Sequence, residues 1–193
     1  GTVIASDPDA GDSLTYSIAG GNTGGAFAIH PSTGQITVNN SAALNYETTP
    51  VFSLTVEVED TWALSDTAIV TINLSDVNES PVIKDQSLPS IAENSTTGTV
   101  VGTVTASDAD AGDSLTYSIT GVTADDALFS ITAGGVLTFD TAPDFETPGD
   151  IGTDNTYNIE VTANDGNGGL TIQNIAVTVT NTNEGAPVIT SSA

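Results

Sequence analysis

The sequence predicts an all-β protein built as tandem seven-stranded Greek-key β-sandwiches arranged end to end, and three observations carry that prediction. Val, Ile, Leu and Thr dominate the apolar and β-branched content, Gly and Asn punctuate it, and no long Ala/Leu/Glu/Lys segment reads as helix. Short stretches of period-two alternation recur between turn-forming residues. The segment ASDPDAGDSLTYSI at residues 5–18 returns at residues 106–119 with Ala109 in place of Pro8 as the sole difference. A repeat at that spacing in 193 residues favours two units, each of a size that buries a core without covalent staples.

The first unit, residues 1–79, starts late in the repeat. GTVIASD at 1–7 matches GTVTASD at 102–108, so the counterpart of the second unit's first strand is missing. Residues 52–59 read as a strand with Leu54, Val56 and Val58 inward, and Ala68, Val70, Ile72 and Leu74 line the unit's last strand. The second unit, residues 80–184, is complete. Its strands fall at 87–94 (an edge strand interrupted by Pro89), 99–107, 114–119, 128–132, 135–139, 156–163 and 170–180. In the sixth of these, Tyr157, Ile159, Val161 and Ala163 share one face, with Asn158, Glu160 and Thr162 on the other. LSDVNESPVI at 74–83 links the units, and TNTNEGAPVI at 180–189 is its counterpart. A polar connection this short holds two sandwiches nearly end to end instead of letting them drift as a Gly/Ser linker would. Residues 185–193 read as the start of a further repeat or a tail, and the whole as part of a longer chain.

Charge excludes whole classes of partner. There are 25 Asp plus Glu against the single basic residue Lys84, a formal net charge of −24. Without arginine there is no fork to grip phosphate and no counterion-release term, which excludes nucleic acid and anionic membrane surfaces. So acidic a surface solubilises the chain, and it also repels itself unless salt or bound cations neutralise it. Cysteine is absent, so no disulfide or thiolate site staples the fold. No apolar run reaches the roughly 20 residues that span a bilayer.

The acidic residues outside the strands fall into recurring sets. Asp7 and Asp9 recur as Asp108 and Asp110, Asn45 and Glu47 as Asp144 and Glu146, and Asp60 as Asp165. Spacing by two presents such pairs on one side of an extended segment. Crowded carboxylates repel, and the cost vanishes around a hard divalent cation, Ca²⁺ taking six to eight oxygens at about 2.3–2.6 Å. With no Cys and one His, zinc and copper are poorly served. An EF-hand is excluded because the Gly of DPDAGD falls at loop position five and position twelve is Ile18 or Ile119. DGNGG at 165–169 reads as a hairpin turn.

Catalysis finds no constellation. His30, the sole imidazole, precedes a proline in a loop and reads as a surface residue. Paired carboxylates could serve glycoside hydrolysis only across a cleft, whereas these recur in loops of both units. Trp62 reads as a ring covering the end of the core or the junction rather than a sugar platform.

IAEN at 91–94, DAD at 108–110, DFE at 144–146, ANDG at 163–166 and DVNES at 76–80 together resemble the cadherin tandem repeat, in its bacterial cadherin-like form. The resemblance implies a cadherin/Ig-like sandwich and Ca²⁺ at repeat junctions. At the central junction it implies ligation by Glu47 with Asn45, by Asp76, Asn78 and Glu79, and by Asp108, Asp110 and Asp165. Asp7, Asp9 and Asp60 form one half-site, and Glu93, Asp144, Glu146, Asn183 and Glu184 another. Whether Asp12 and Asp113 ligate or only cap their turns stays open. The implied protein is no enzyme but a Ca²⁺-rigidified extender or adhesion module of a large bacterial surface or secreted protein, monomeric as this fragment, whose partners are neighbouring repeats of its own chain. The alternative is a Ca²⁺-dependent recognition module for polysaccharide or for like repeats on another cell.

Overall fold

The computed structural model describes residues 1–9, 11–84, 87–121 and 123–186. The chain divides into two compact units, Gly1–Val77 and a second beginning at Asn78. Both are β throughout, apart from single turns of 3₁₀ helix.

The first unit contains β1 (Thr15–Gly20), β2 (Phe27–Ile29), β3 (Ile36–Val38), β4 (Val51–Glu59) and β5 (Ser65–Asn73). β1, β4 and β5 form an antiparallel sheet in that order, and β2 with β3 a hairpin that packs against it. Phe27 and Phe52 meet edge to face with ring centroids 5.1 Å apart, closing a core completed by Ala26, Leu54 and Val56. Leu54 and Val56 point inward as the alternation of β4 requires, while Val58 is half-buried. The expected inward line on β5 is weaker than its sequence suggests: Val70, Ile72 and Leu74 pack partly against the core, but Ala68 is exposed. The reason is topological, since β5 is an edge with β4 as its only described neighbour in the sheet.

The second unit contains β6 (Val82–Ile83), β7 (Ile91–Ala92), β8 (Val100–Thr103), β9 (Ala106–Ser107), β10 (Thr116–Ile119), β11 (Phe129–Ile131), β12 (Val136–Phe139), β13 (Thr156–Asn164) and β14 (Leu170–Thr180). One sheet has the order β10-β13-β14-β7, the other β11-β12-β8, and β6 pairs with β9. β13 reads as its alternation predicts: Tyr157, Ile159, Val161 and Ala163 are at most 1% exposed. On its other face Thr162 is also buried, its hydroxyl bonded to that of Thr120. Phe129, Phe139 and Tyr157 form a T-shaped and tilted ring cluster, and Gly149 N–H donates to the Tyr157 hydroxyl, so the buried phenol is satisfied.

Two strand expectations are corrected. The edge strand at 87–94 is ordered as strand only over Ile91–Ala92, which runs parallel to the end of β14. The continuous strand at 99–107 breaks in two because the chain changes sheets: β8 pairs with β12, β9 with β6. At the break, fully buried Val104 donates its N–H to Gly135 O. Gly135, at φ +85°, must be glycine, since a Cβ there would sit 2.3 Å from Val104 O. Gly34, at φ +66°, plays the same part against Val3 O in the first unit. Residues 187–193, expected to open a further repeat, lie outside the described residues.

Candidate metal centres

The repeated DxDxGD loop folds the same way in both units. Asp7 Oδ1 accepts the N–H of Asp9 at 2.7 Å, and Asp108 Oδ1 that of Asp110 at 3.1 Å, an Asx turn in each. This turn replaces the extended geometry on which the two-residue pairing rule depends. Consequently Asp108 joins Asp113 and Asp165, while Asp110 turns its Oδ2 to the N–H of Glu79 at 2.9 Å. Likewise Asp7 gathers with Asp12 and Asp60, and Asp9 is exposed. In each trio one carboxylate oxygen per residue lies within 4.8 Å of the others.

Asp12 and Asp113, left open by the sequence, thus stand inside the clusters. Each also ties its loop to the neighbouring hairpin. Asp12 Oδ1 accepts from the Thr61 hydroxyl and Asp113 Oδ1 from the Asn167 amide, both at 2.9 Å. Their Oδ2 atoms, like Asp108 Oδ2, are buried with no hydrogen-bond donor. A desolvated carboxylate oxygen without a donor, beside two more carboxylates, is the environment that a hard cation relieves.

The third member of each trio is differently placed. Asp165, 3% exposed, accepts at Oδ1 from the N–H groups of Asn167, Gly168 and Gly169, and at Oδ2 from Gly169 N–H and the Asn78 amide. The Asn78 amide, joined by these backbone donors and opposed by burial, holds its carboxyl below the usual carboxylate range. Asp60 accepts from Trp62 and Leu64 N–H at 2.7 and 2.9 Å. That turn leaves both side chains outside: Trp62, expected to cover the end of the core or the junction, is 78% exposed and does not cover the core. His30 is exposed as expected and accepts from Ser32 N–H.

The third cluster within one unit joins Glu93, Asp144 and Glu146. Glu93 is buried, accepting from Thr182 N–H and, at 3.0 Å, from Phe145 N–H, which hold its carboxyl below the ordinary range. Glu146 is pushed up, first by its hydrogen bond with Glu93 and then by burial and the Glu93 charge. Around this cluster Asn181 donates to Glu146 and Asn94 to Glu184, while Asn183 is exposed. Asp144 also caps its turn through Thr147 N–H, as Asn45 does through Thr48 N–H. Glu47 and Asp76 belong to the first unit.

Sequence reasoning missed one acidic group altogether. Asp125, Asp126 and Asp150 are buried to within 4% exposure, and each spends its oxygens on backbone amides. Asp125 accepts from Ile151 and Asn158, Asp126 from Thr123 and Glu160, Asp150 from Asp154 and Asn155. Asp125 and Asp126 peg their loop to β13, and Asp150 closes the turn that leads into that strand. The Asp-Asp pair ahead of a Leu-Phe strand start was the signal available.

Two β-sandwich units, each with carboxylates gathered in its connecting loops, define a class of tandem sandwich repeats. Residues 1–75 match the Cadherin domain model and residues 78–178 the Bacterial Ig domain model. The protocadherin-like wing polarity protein stan of Drosophila melanogaster is 36% identical over 98% of this chain, and human protocadherin Fat 4 is 39% identical over 76%. The chain spans 5% and 3% of those curated relatives' lengths. Among solved structures, human protocadherin-24 EC1-2 aligns with a TM-score of 0.65 at 28% identity, covering 95% of this chain and 88% of that one. Mouse cadherin-23 EC22-24 aligns at 0.59 and 26%, covering 88% and 53%. The chain belongs to the cadherin repeat family, as a cadherin-like tandem repeat whose second unit matches the bacterial Ig domain. It is therefore of a non-enzymatic, adhesion-type lineage, whose relatives are extracellular or surface proteins and whose domains generally bind Ca²⁺. Among the described residues no helix is long and apolar enough to cross a membrane.

Proposed function

We propose that this chain is a Ca²⁺-binding extender and adhesion module of a large bacterial surface or secreted protein, stiffened by calcium. The observation that carries the reading is the duplicated trio. Asp7, Asp12 and Asp60 in one unit and Asp108, Asp113 and Asp165 in the other converge to within 4.8 Å, with Asp12, Asp108 and Asp113 each burying a donorless oxygen. The donor set is wholly oxygen, as Ca²⁺ requires. In the second unit Asn78, Glu79 and Asp110 stand beside the trio, positioned by the bonds of Asn78 to Asp165 and of Glu79 to Asp110. Glu93, Asp144 and Glu146 with Asn183 and Glu184 would hold a further ion. Asn45, Glu47, Asp76 and Asp9 enter as ligands on the family resemblance. The bacterial Ig match supports the bacterial assignment.

Bound calcium would supply neutralising charge. This chain's own residues set the rest: the Asx turns hold Asp7 and Asp108 in place, and the hairpin amides fix Asp60 and Asp165. Since extracellular modules commonly bind with a Kd of about 10⁻⁴–10⁻³ M, rigidity would follow environmental calcium. Isothermal calorimetry gives stoichiometry and affinity, and small-angle scattering with calcium and then chelator gives the maximum dimension. Absence of binding heat down to millimolar affinity, or an unchanged dimension despite binding, sinks the corresponding half of the proposal. Homophilic contact is a second reading, favoured by a relative, protocadherin gammaB7 EC3-6, solved as a cis-dimer and 28% identical over 94% of this chain.

A further inference from the structure

The hairpin between β13 and β14 carries a reactive pairing that the rest of the chain lacks. Asn167 is the one asparagine in the sequence followed by glycine. With no Cβ on the following residue, the next main-chain nitrogen can reach the asparagine side-chain carbon and close a five-membered ring on it. The fold leaves that encounter open, since Asn167 and Gly168 are both exposed at the tip of the hairpin. A Cβ placed on Gly168 would meet nothing within 4 Å, so no neighbour crowds the reacting atoms from that side. The Gly168 N–H points at Asp165 Oδ1, 3.0 Å away, so the proton this nitrogen must release already faces an acceptor. The Asn167 main-chain N–H is held by the same oxygen at 2.7 Å.

The amide at risk belongs to the surroundings of the acidic trio. Asn167 Nδ2 donates to Asp113 Oδ1 at 2.9 Å. The other oxygen of Asp113 is buried with no donor, and the residue lies in the cluster with Asp108 and Asp165. In the first unit the corresponding bond, to Asp12 Oδ1, comes from the Thr61 hydroxyl, which has no amide to lose.

We propose that Asn167 is a self-modification site, at which the chain loses ammonia and gains a carboxylate beside Asp108, Asp113 and Asp165. The Gly168 nitrogen bonds to Asn167 Cγ, the Cγ–Nδ2 bond breaks, and the amide leaves as ammonia with the proton that Gly168 gives up. Water then opens the ring at Cγ, which restores the Gly168 N–H and leaves an aspartate side chain at position 167. Opening at the backbone carbonyl leaves an isoaspartate, again a carboxylate in place of an amide. Water is the sole co-reactant. A donor to Asp113 Oδ1 thereby becomes an acceptor of like charge. The added charge raises the self-repulsion of the trio and strengthens its demand for a hard cation. The converted chain is less stable without calcium and answers calcium more strongly, while the first unit, with Thr61, stays as made. That calcium effect rests on the function proposed above; the conversion itself does not.

Ageing the whole chain in chelator at mildly alkaline pH, then proteolysis and mass spectrometry, tests the conversion. The amide-to-acid mass shift accumulates at Asn167 ahead of every other asparagine, at a rate within about tenfold of that in a free synthetic peptide of residues 162–172. Asn167→Gln, whose longer side chain needs a larger ring, shows no shift there. Faster conversion at another asparagine, or a folded chain that stays intact while the free peptide converts fully, overturns the proposal. Asn167→Asp supplies the aspartate product directly. In scanning calorimetry its second unit melts below wild type in chelator and rises further than wild type when calcium is added. An unchanged melting temperature in chelator overturns the placement of the new charge against the trio. A wild-type calcium response that the variant does not exceed overturns the strengthened demand for a cation. A lowered melting temperature with no calcium response in either protein overturns the calcium reading alone and leaves the modification standing.

Discussion

Replacing Asp108 by Asn separates a metal ligand from a turn cap. Its Oδ1 accepts the Asp110 N–H at 3.1 Å, which an amide oxygen also does. Its buried Oδ2 has no donor and lies in the trio with Asp113 and Asp165. An amide NH₂ there removes one negative charge and offers a donor to Asp113 Oδ2, itself buried and donorless. Without calcium the variant should therefore melt at the wild-type temperature or above it. For the wild type, a Kd of about 10⁻⁴–10⁻³ M and about 10 mM calcium give a stabilisation of roughly 1.4–2.7 kcal/mol. For a unit of this size that is a rise of roughly 6–20 °C in melting temperature. A ligand loss that weakens binding about tenfold leaves half of that rise or less. Differential scanning calorimetry of both proteins, in chelator and in calcium, reads all four values. If the calcium-free Tm falls by several degrees and the calcium response is unchanged, Asp108 is only a cap, and the trio is no metal centre.

The separate cores predict separable unfolding. Leu137→Ala, at a fully buried position, should lower the second unit's transition by about 2–5 kcal/mol and leave the first unit's in place, while Leu54→Ala does the reverse; calorimetry or two-probe denaturation checks this. Asp126 predicts an acid dependence. Burial pushes its carboxyl up, but the Thr123 hydroxyl and the Glu160 and Thr123 amides outweigh it and hold the group below its ordinary value. A depressed carboxylate contributes stability that is present above the unfolded value, about 3.9, and lost as pH falls through the folded one. Asp126→Asn should therefore destabilise at neutral pH by about 1–3 kcal/mol, through the donor left unpaired, and show a shallower loss below pH ~4 in urea titrations across pH. A wild-type slope in the variant refutes the assignment.

Alternation made β13 legible because a strand buried on one face must place Tyr157, Ile159, Val161 and Ala163 together. It could not reveal the break between β8 and β9, since TVVGTVTAS alternates through Val104 without interruption. What ends β8 is a change of partner, from β12 to β6, decided by residues such as Gly135 and Val82 far away in sequence. β6 was concealed by its own brevity: Ile83 and the Pro81 just before the strand are buried only because β9 and β14 close over them.

For the acidic loops the residue types were legible and their division of labour was not. Asp108 and Asp110 share a motif, yet an Asx turn sends one carboxylate into the trio and the other to a backbone amide. Asp126 and Asp165 are deeply buried, but donors surround their oxygens, so burial alone marks no ligand. Asp108 and Asp113 are less buried as residues, and each keeps one oxygen that nothing satisfies. A carboxylate that caps a turn has its energy balanced within the chain. One left desolvated beside two others of the same sign does not, and the deficit is the physical content of the calcium proposal. The same deficit at Asp12, in the first unit's copy of the loop, traces it to the loop itself.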